Sequence, residues 1–348
     1  MNVCFIMYSW KRVDPETDTT LRLIHEAALR GHTVAIATTS DLTIRNSIAS
    51  AFCDVIPRGS KISSNIPSFY RNIQFKRSQL PLSGFDTILM RSNPPMDSLA
   101  LNFLDSVRAD TFIMNDIDGL RVANNKLYSA SLQDPAYDFV PATHVSKSRD
   151  YLERIFSESE SPKMILKPLD GYGGHGVIVL ERSAQHNFRS LLDYYIGGGD
   201  RRSRSNYVIL QDYVTGAEDG DIRILMLNGE PIGAMRRVPA KNEVRSNVHA
   251  GGTVVKHTLS RQEKKLCQYI GPKLVRDGLY FTGIDVIGGK LIEVNVLSPG
   301  GITRINKLNR VKLQQKVIDF AESVVNAREV VIRRKNEFRQ VIEDADIV

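Results

Sequence analysis

Short apolar runs and segments of helical period alternate through the first third of the chain. Val3 to Met7 is a compact apolar run that predicts a strand. Asp18 stands where a helix cap is expected, and Leu21, Ile24 and Ala28 fall on one helical face toward Arg30. Gly31 ends that helix, and Thr33 to Thr38 reads as the next strand. Strand, helix and strand in so short a span form a βαβ unit. Thr87 to Met90 and Thr111 to Met114 are further apolar runs ending in polar residues, so the segment reads as a doubly wound α/β unit. Ligands of such sheets bind beyond the carboxyl ends of the strands, here Tyr8 to Asp14, Arg91 to Asp97 and Asn115 to Asp118.

The pattern then changes. Asn124 to Leu132 predicts a helix, Pro141 opens an extended stretch, and Met164 to Lys167 predicts a strand. A glycine-rich run from Gly171 to Gly176 follows, then the apolar run Val177 to Leu180, which together predict a strand–loop–strand hairpin. Gly197 to Asn206 reads as a flexible loop. Beyond it, Tyr207 to Gln211, Asp221 to Leu227 and Pro231 to Arg237 predict strands, the last two joined at the hairpin signal Asn228-Gly229. Ser260 to Asp277 has helical amphipathicity, and Phe281 to Ile287 and Lys290 to Asn295 flank Gly288-Gly289 as two more strands. The end of the chain is rich in charge and predicts a helical or mobile extension. These shifts divide the sequence into 1–121, 122–206, 207–325 and 326–348. The fold class is α/β, α+β in part.

Composition narrows the possible functions. The 348 residues allow two or three domains at roughly 150 residues each. With 42% hydrophobic and 24% charged residues the chain is of ordinary globular character, which excludes general disorder. No apolar run is long enough to span a membrane, and the start, MNVCFIMYSW, lacks the basic and small-residue features of a signal peptide. Cys4, Cys53 and Cys267 form neither a disulfide framework nor a cysteine zinc site, which fits a reducing cytoplasm. The net charge of +7 is mild and partly local, in Arg201 to Arg204 and Arg333 to Arg339. No aromatic platform interleaves with these runs, so no nucleic-acid partner is expected.

Three constellations carry chemistry. Glu293 and Asn295 lie two apart and so share one face of their strand, opposite the strand that holds Asp285. Two carboxylates and an amide oxygen suit a hard cation such as magnesium; the polar outer face of an edge hairpin is the alternative. Lys167 precedes the glycine run, whose backbone amides could form an anion nest, although a simple flexible hairpin has the same sequence. The G-x-x-x-x-G-K-[ST] loop is absent, and a following strand argues against a dinucleotide fingerprint. Arg223, Arg236, Arg237 and Arg245 form a set of cations, with Arg223 on the strand face of Asp221. Val238 to His249 is a polar stretch long enough to act as a lid. No histidine pair and no G-x-S-x-G are present, so nucleophilic hydrolase chemistry has no support.

In order and spacing, ILKPLDGYGGHGV from Ile165, GDIRILMLNGEPI from Gly220, VRSNVHAGG from Val244 and GIDVIGGKLIEVNVLSP from Gly283 resemble the ATP-grasp ligases, and among them the bacterial glutathione synthetases. The resemblance spans about residues 1 to 320. It implies an ATP-grasp fold: an N-terminal Rossmann-like domain, a lid subdomain and a C-terminal domain with the metal site. It also implies ATP and Mg2+ (or Mn2+) as cofactors, and an acyl-phosphate route that joins γ-glutamylcysteine to glycine. Carried over, Lys126, Lys167, Gly171, Gly173 and Gly174 are phosphate-side residues, and Gln211, Asp212, Tyr213 and Val214 are the adenine-side linker. Asp285, Glu293 and Asn295 are magnesium ligands, and Arg223 stabilises the tetrahedral oxyanion. Arg237, Arg245, Asn247, Gly251, Gly252 and Ser298 contact substrate, and Val238 to Arg245 is a cover loop. A cytoplasmic homo-oligomer, tetramer or dimer, acting on small molecules or short peptides follows from the same resemblance. The chain departs from the family pattern at Tyr8, at Ser92 and Asn93 where the family has Lys and Asp, and at Gly300 where it has Thr. A ligase for another amino-acid or peptide pair is therefore the alternative; a catalytically silent ATP-binding module is a more distant one.

Overall fold

The computed structural model describes residues 1–134, 136, 138–171, 175–181, 183, 185–197, 206–239 and 252–345. The chain forms two units, Met1–Ile117 with Arg310–Val348, and Asp118–Asn309. The first begins as the apolar pattern predicts, with β1 (Asn2–Met7), α1 (Thr19–Leu29) and β2 (Thr33–Ala37). Asp18 caps α1 by accepting a hydrogen bond from the Leu21 amide. An excursion follows: β3 (Leu42–Arg45), β4 (Ile48–Val55), α2 (Ile66–Asn72) and β5 (Lys76–Pro81). It was not legible in the apolar pattern because β3 and β5 are edge strands with little burial, and β5 carries Lys76, Arg77, Ser78 and Gln79. Then come β6 (Thr87–Arg91), α3 (Ser98–Asp105) and β7 (Phe112–Met114). The sheet order is β3-β4-β2-β1-β6-β7, with β5 on β4. Its centre is parallel and almost wholly buried, which is why those strands read as continuous apolar runs.

The C-terminal helix, Leu313–Ala345, belongs to this unit. It runs through position 326, where a composition shift suggested a boundary. Leu313, Val317, Ile318, Ala321 and Val325 form its buried face. Arg30 holds it with hydrogen bonds to Asp319 at 2.7 Å and Glu322 at 2.9 Å, and His32 lies 2.7 Å from Glu322.

The helix α4 (Ile117–Val122) leads out of the first unit, and α5 (Leu127–Ala130) is shorter than the predicted helix there. The second unit then holds two antiparallel sheets. The first comprises β8 (Thr143–Ser146), β9 (Lys163–Pro168), β10 (Ile178–Glu181) and β11 (Val208–Asp212), in the order β10-β9-β11-β8. On one face Met164, Leu166, Leu180, Val208 and Leu210 pack against Leu152 and Phe156 of α6 (Arg149–Glu158) and Phe188, Leu192 and Ile196 of α7 (Gln185–Gly197). Alternation places Thr143, Lys167 and Gln211 on the other face.

The second sheet comprises β12 (Asp221–Leu227), β13 (Glu230–Val238), β14 (Thr253–Lys256), β15 (Phe281–Ile287) and β16 (Lys290–Asn295), in the order β14-β13-β12-β15-β16. Asn228 and Gly229 both have positive φ, as the predicted two-residue turn requires. The amphipathic segment is α8 (Arg261–Arg276), closed by a capping box between Ser260 and Glu263. Finally, α9 (Ile302–Asn309) packs on β13 and β14.

Candidate active site

Two β-bulges decide which side chains share a face of the five-stranded sheet. A two-residue turn at Asn228-Gly229 pairs Leu227 with Glu230 and Met226 with Pro231; continued, it would set Arg236 opposite Asp221. A register shift after Met226 leaves Ile232 as the extra residue, so Arg237 stands opposite Asp221 instead. The same happens on β16. Val286 pairs with Leu291, the register shifts, and Asp285 meets Glu293 rather than Ile292. One sheet face therefore carries Asp221 and Arg223 from β12, Arg237 from β13, Asp285 from β15 and Glu293 and Asn295 from β16.

These groups form a charged row. Arg223 makes a two-pronged contact to Asp285, with Nε donating to Oδ1 at 2.5 Å and Nη2 to Oδ2 at 2.9 Å. Arg237 grips Asp221 in the same manner and reaches Asp285 Oδ2 at 3.0 Å. The Asn295 amide also donates to Asp285 Oδ2, at 3.2 Å. Burial alone would raise the Asp285 carboxyl, but the Arg223 and Arg237 guanidiniums outweigh it and hold the pKa at about 2. Burial is also the largest influence on Arg237 and acts to lower its pKa, yet Asp285 and Asp221 reverse it and raise the pKa. Gly283 makes room for this arrangement, since a Cβ there would lie 3.2 Å from Arg223 Cδ. Arg223 Nη1 donates to the Gly300 carbonyl at 3.3 Å.

Two lysines of the same unit lie close in charge. Lys126, at the start of α5, has Nζ 3.3 Å from Glu293 Oε1 and also donates to the Gly171 carbonyl. Its backbone amide donates to Leu169 at 3.2 Å. Lys167 on β9 is only 5% exposed, and burial pushes its pKa down to about 8, against the opposing pull of Glu293. Its ammonium donates to Gln211 Oε1 at 2.9 Å. The Gln211 side chain, first of the 211–214 stretch, lies on the Lys167 face of the sheet. Asp212 ends β11; the Tyr213 hydroxyl donates to Glu218 at 3.1 Å, and Val214 continues the link to β12. Gly252 and Ser298 are described; Gly173, Gly174, Arg245, Asn247 and Gly251, most of the expected cover loop, and Arg201 to Arg204 lie outside the described residues.

In the first unit, the Tyr8 hydroxyl donates to Asp18 beyond the carboxyl end of β1. Arg91 ends β6 fully buried, donating Nε to Thr20 at 3.1 Å, and burial pushes its pKa down to about 10.

The family model for the prokaryotic glutathione synthetase N-terminal domain matches residues 1–121, and that for the ATP-grasp domain of the same enzymes matches residues 125–310. A glutathione synthetase of Gloeobacter violaceus is 38% identical over 332 residues, covering 92% of this chain and 96% of that one. The chain belongs to the prokaryotic glutathione synthetase family. As a glutathione synthetase family member it is an ATP-dependent ligase with an ATP-grasp fold. Solved ATP-grasp structures agree in fold. D-cycloserine synthetase DcsG has a TM-score of 0.60 at 15% identity, covering 94% of this chain and 99% of its own. The ligase PsnB, solved with a minimal precursor, Mg and ADP, has a TM-score of 0.58 at 14% identity, covering 93% and 98%.

Among the described residues of this glutathione synthetase family chain, no group of three or more His, Cys, Asp or Glu forms a closed metal cage. Asp285, Glu293 and Asn295 offer oxygen donors only, the set a magnesium ion takes when phosphates complete its shell. Two participants were not singled out in the sequence. Asp221 was placed on the Arg223 face without a role; its partner could be read only by counting a bulge. Thr143 carried no signal, being one threonine on an edge strand.

Proposed function

We propose that the protein joins γ-glutamylcysteine to glycine, releasing ADP and phosphate. The observation that carries this reading is the 3.3 Å approach of Lys126 to Glu293, which brings a phosphate-type lysine to a metal-type carboxylate. A carboxylate oxygen of the dipeptide attacks the γ-phosphorus of ATP, the bond to the bridging oxygen breaks, and ADP leaves. The glycine amine then attacks the acyl carbon, loses a proton, and phosphate departs. Lys126 and Lys167 neutralise phosphate charge, helped by the amides around Gly171, Gly173 and Gly174. Gln211 to Val214 pass beside the nucleotide base. Asp285, Glu293 and Asn295 would hold magnesium, or manganese in its place, and the ion supplies charge neutralisation at the phosphates. Asp285 keeps its negative charge for this at any physiological pH because its pKa is held at about 2.

Arg223 stabilises the oxyanion formed on amine attack, and its two-pronged bond to Asp285 fixes the guanidinium plane. Arg237, Arg245, Asn247, Gly251, Gly252 and Ser298 contact the substrates, and the 238–245 stretch keeps water from the acyl phosphate. A cytoplasmic homo-oligomer is part of the same reading; the three buried free thiols support a reducing compartment. Among the described residues no helix is long and apolar enough to cross a membrane.

The test is phosphate release from ATP and magnesium with γ-glutamylcysteine, glycine added or omitted, and the product mass read in parallel. Release that requires both substrates, with the glutathione mass, is expected. Absence of release with this pair, and release with another amino acid or peptide, would transfer the ligase to that pair. The substitutions at Ser92 and Asn93 would then mark the altered recognition.

A further inference from the structure

The hydrogen bonds that lead away from Lys167 form a chain with only one possible polarity. Gln211 and Thr143 are direct cross-strand partners on β11 and β8. Gln211 Nε2 donates to Thr143 Oγ1 at 2.7 Å, and Thr143 Oγ1 donates to the Pro141 carbonyl at 2.7 Å. Lys167 Nζ donates to Gln211 Oε1 at 2.9 Å. An ammonium can only donate and a carbonyl can only accept. The Pro141 carbonyl takes the single hydroxyl proton of Thr143, so Thr143 Oγ1 is left to accept from the Gln211 amide nitrogen. That turns the amide oxygen, and not the nitrogen, toward Lys167.

We infer that Thr143 is a positioning residue for nucleotide binding: by fixing the orientation of the Gln211 amide, it holds the Lys167 ammonium in place with a neutral acceptor. The choice of acceptor matters. A carboxylate at this depth would pair with the lysine and cancel the charge that phosphate oxygens need. An amide oxygen holds the ammonium and leaves its charge available. A flipped amide would present two N–H groups to a buried cation and repel it. Among the described residues, the charged groups that act on Lys167 are Glu293 and Lys126, of opposite sign, and the direct hydrogen bond from its ammonium goes to the amide.

The inference rests on Lys167 as a phosphate-binding lysine, and the experiment separates the two. Kinetics of the full chain at varied ATP, with magnesium and both other substrates saturating, are measured for wild type, Thr143→Val, Thr143→Ser, Gln211→Glu and Lys167→Met, with calorimetric ATP–magnesium binding alongside. Thr143→Val should raise the KM for ATP about tenfold, with kcat and the KM for glycine within about twofold of wild type. Thr143→Ser, which keeps the hydroxyl, should restore the wild-type KM. Gln211→Glu puts a carboxylate against the ammonium and should raise the KM for ATP; an unchanged KM there would overturn the relay even if the valine variant does not fold. An unchanged KM in Thr143→Val, or an equal rise in the valine and serine variants, would overturn the relay alone. Wild-type ATP affinity in Lys167→Met would overturn both the relay and the role of the lysine.

Discussion

Lys167 carries its charge against the cost of burial, and that has a measurable sign. Its pKa falls from the ordinary 10.5 to about 8, chiefly through desolvation. The unfolded chain binds more protons than the folded one between those values, so this residue's contribution makes the protein more stable as pH rises from about 8 toward 10.5. Phosphate beside the ammonium restores the charged form. ATP binding between pH 8 and 9 should therefore take up a fraction of a proton, seen as a binding enthalpy that varies with the ionisation enthalpy of the buffer. Lys167→Met should remove that uptake; uptake that persists in the variant would assign the proton elsewhere. At Glu293 the expectation is simpler. Glu293→Gln should lower magnesium-dependent turnover by orders of magnitude with the melting temperature nearly unchanged, because the side chain is 29% exposed and its ion pair among the described residues is the one to Lys126. A wild-type rate in saturating magnesium would contradict a ligand role. At this scale the sequence was informative about charged residues and silent about their neutral partners. Asp285, Glu293 and Asn295 are visible as types at a spacing, whereas Thr143 acts through one hydroxyl whose meaning depends on a strand distant in sequence.

Elements place these residues through irregularities as much as through regular pairing. Both strands of the 221–238 hairpin and the 281–295 hairpin were legible from apolar runs and turn signals. The bulges at Ile232 and Ile292 were not, since a bulge leaves no apolar signature and shifts the register by one. Regular pairing would have put Arg236 in the place of Arg237 and split Asp285 from Glu293. The helices α6 and α7 escaped the apolar reading too, because each buries a narrow stripe of its surface in a mostly polar sequence. At the open end of the 221–238 hairpin, Gly220 has φ +95°, and a Cβ would lie 1.9 Å from the Arg237 carbonyl oxygen. Gly220→Ala should destabilise the protein by roughly 3 kcal/mol or more and depress activity with it, since the displaced backbone carries Arg237. A thermal melt checks this, and an unshifted melt would show that the hairpin end yields freely.

At the scale of the whole molecule, the first unit is completed from the far end of the chain. Deleting 326–348 should leave the melting temperature within a few degrees of the full chain. Among the described side chains of the C-terminal helix, Val325 is the last buried one, and Val330, Val331, Ile332 and Phe338 beyond it are exposed. Deleting 310–348 should unfold the first unit, because it removes Leu313, Val317, Ile318 and Val325 at about 1.5–3 kcal/mol each. Circular dichroism melts of the two truncations distinguish these outcomes. Composition could not reveal this helix as part of the first unit, because charge density reports exposure and not which surface a helix covers. The interruption of one unit by the other also orders events on the ribosome. The strands β1 to β7 are made early, but the helix that packs on α1 and sets Phe320 edge-on against Phe112 comes last. At roughly 5–20 residues per second, the intervening stretch occupies synthesis for about 10–40 s. Throughout that interval the nascent first unit exposes the apolar surface reserved for its final helix, while the inserted unit is free to finish, so the half of the molecule that starts first is the last to become stable.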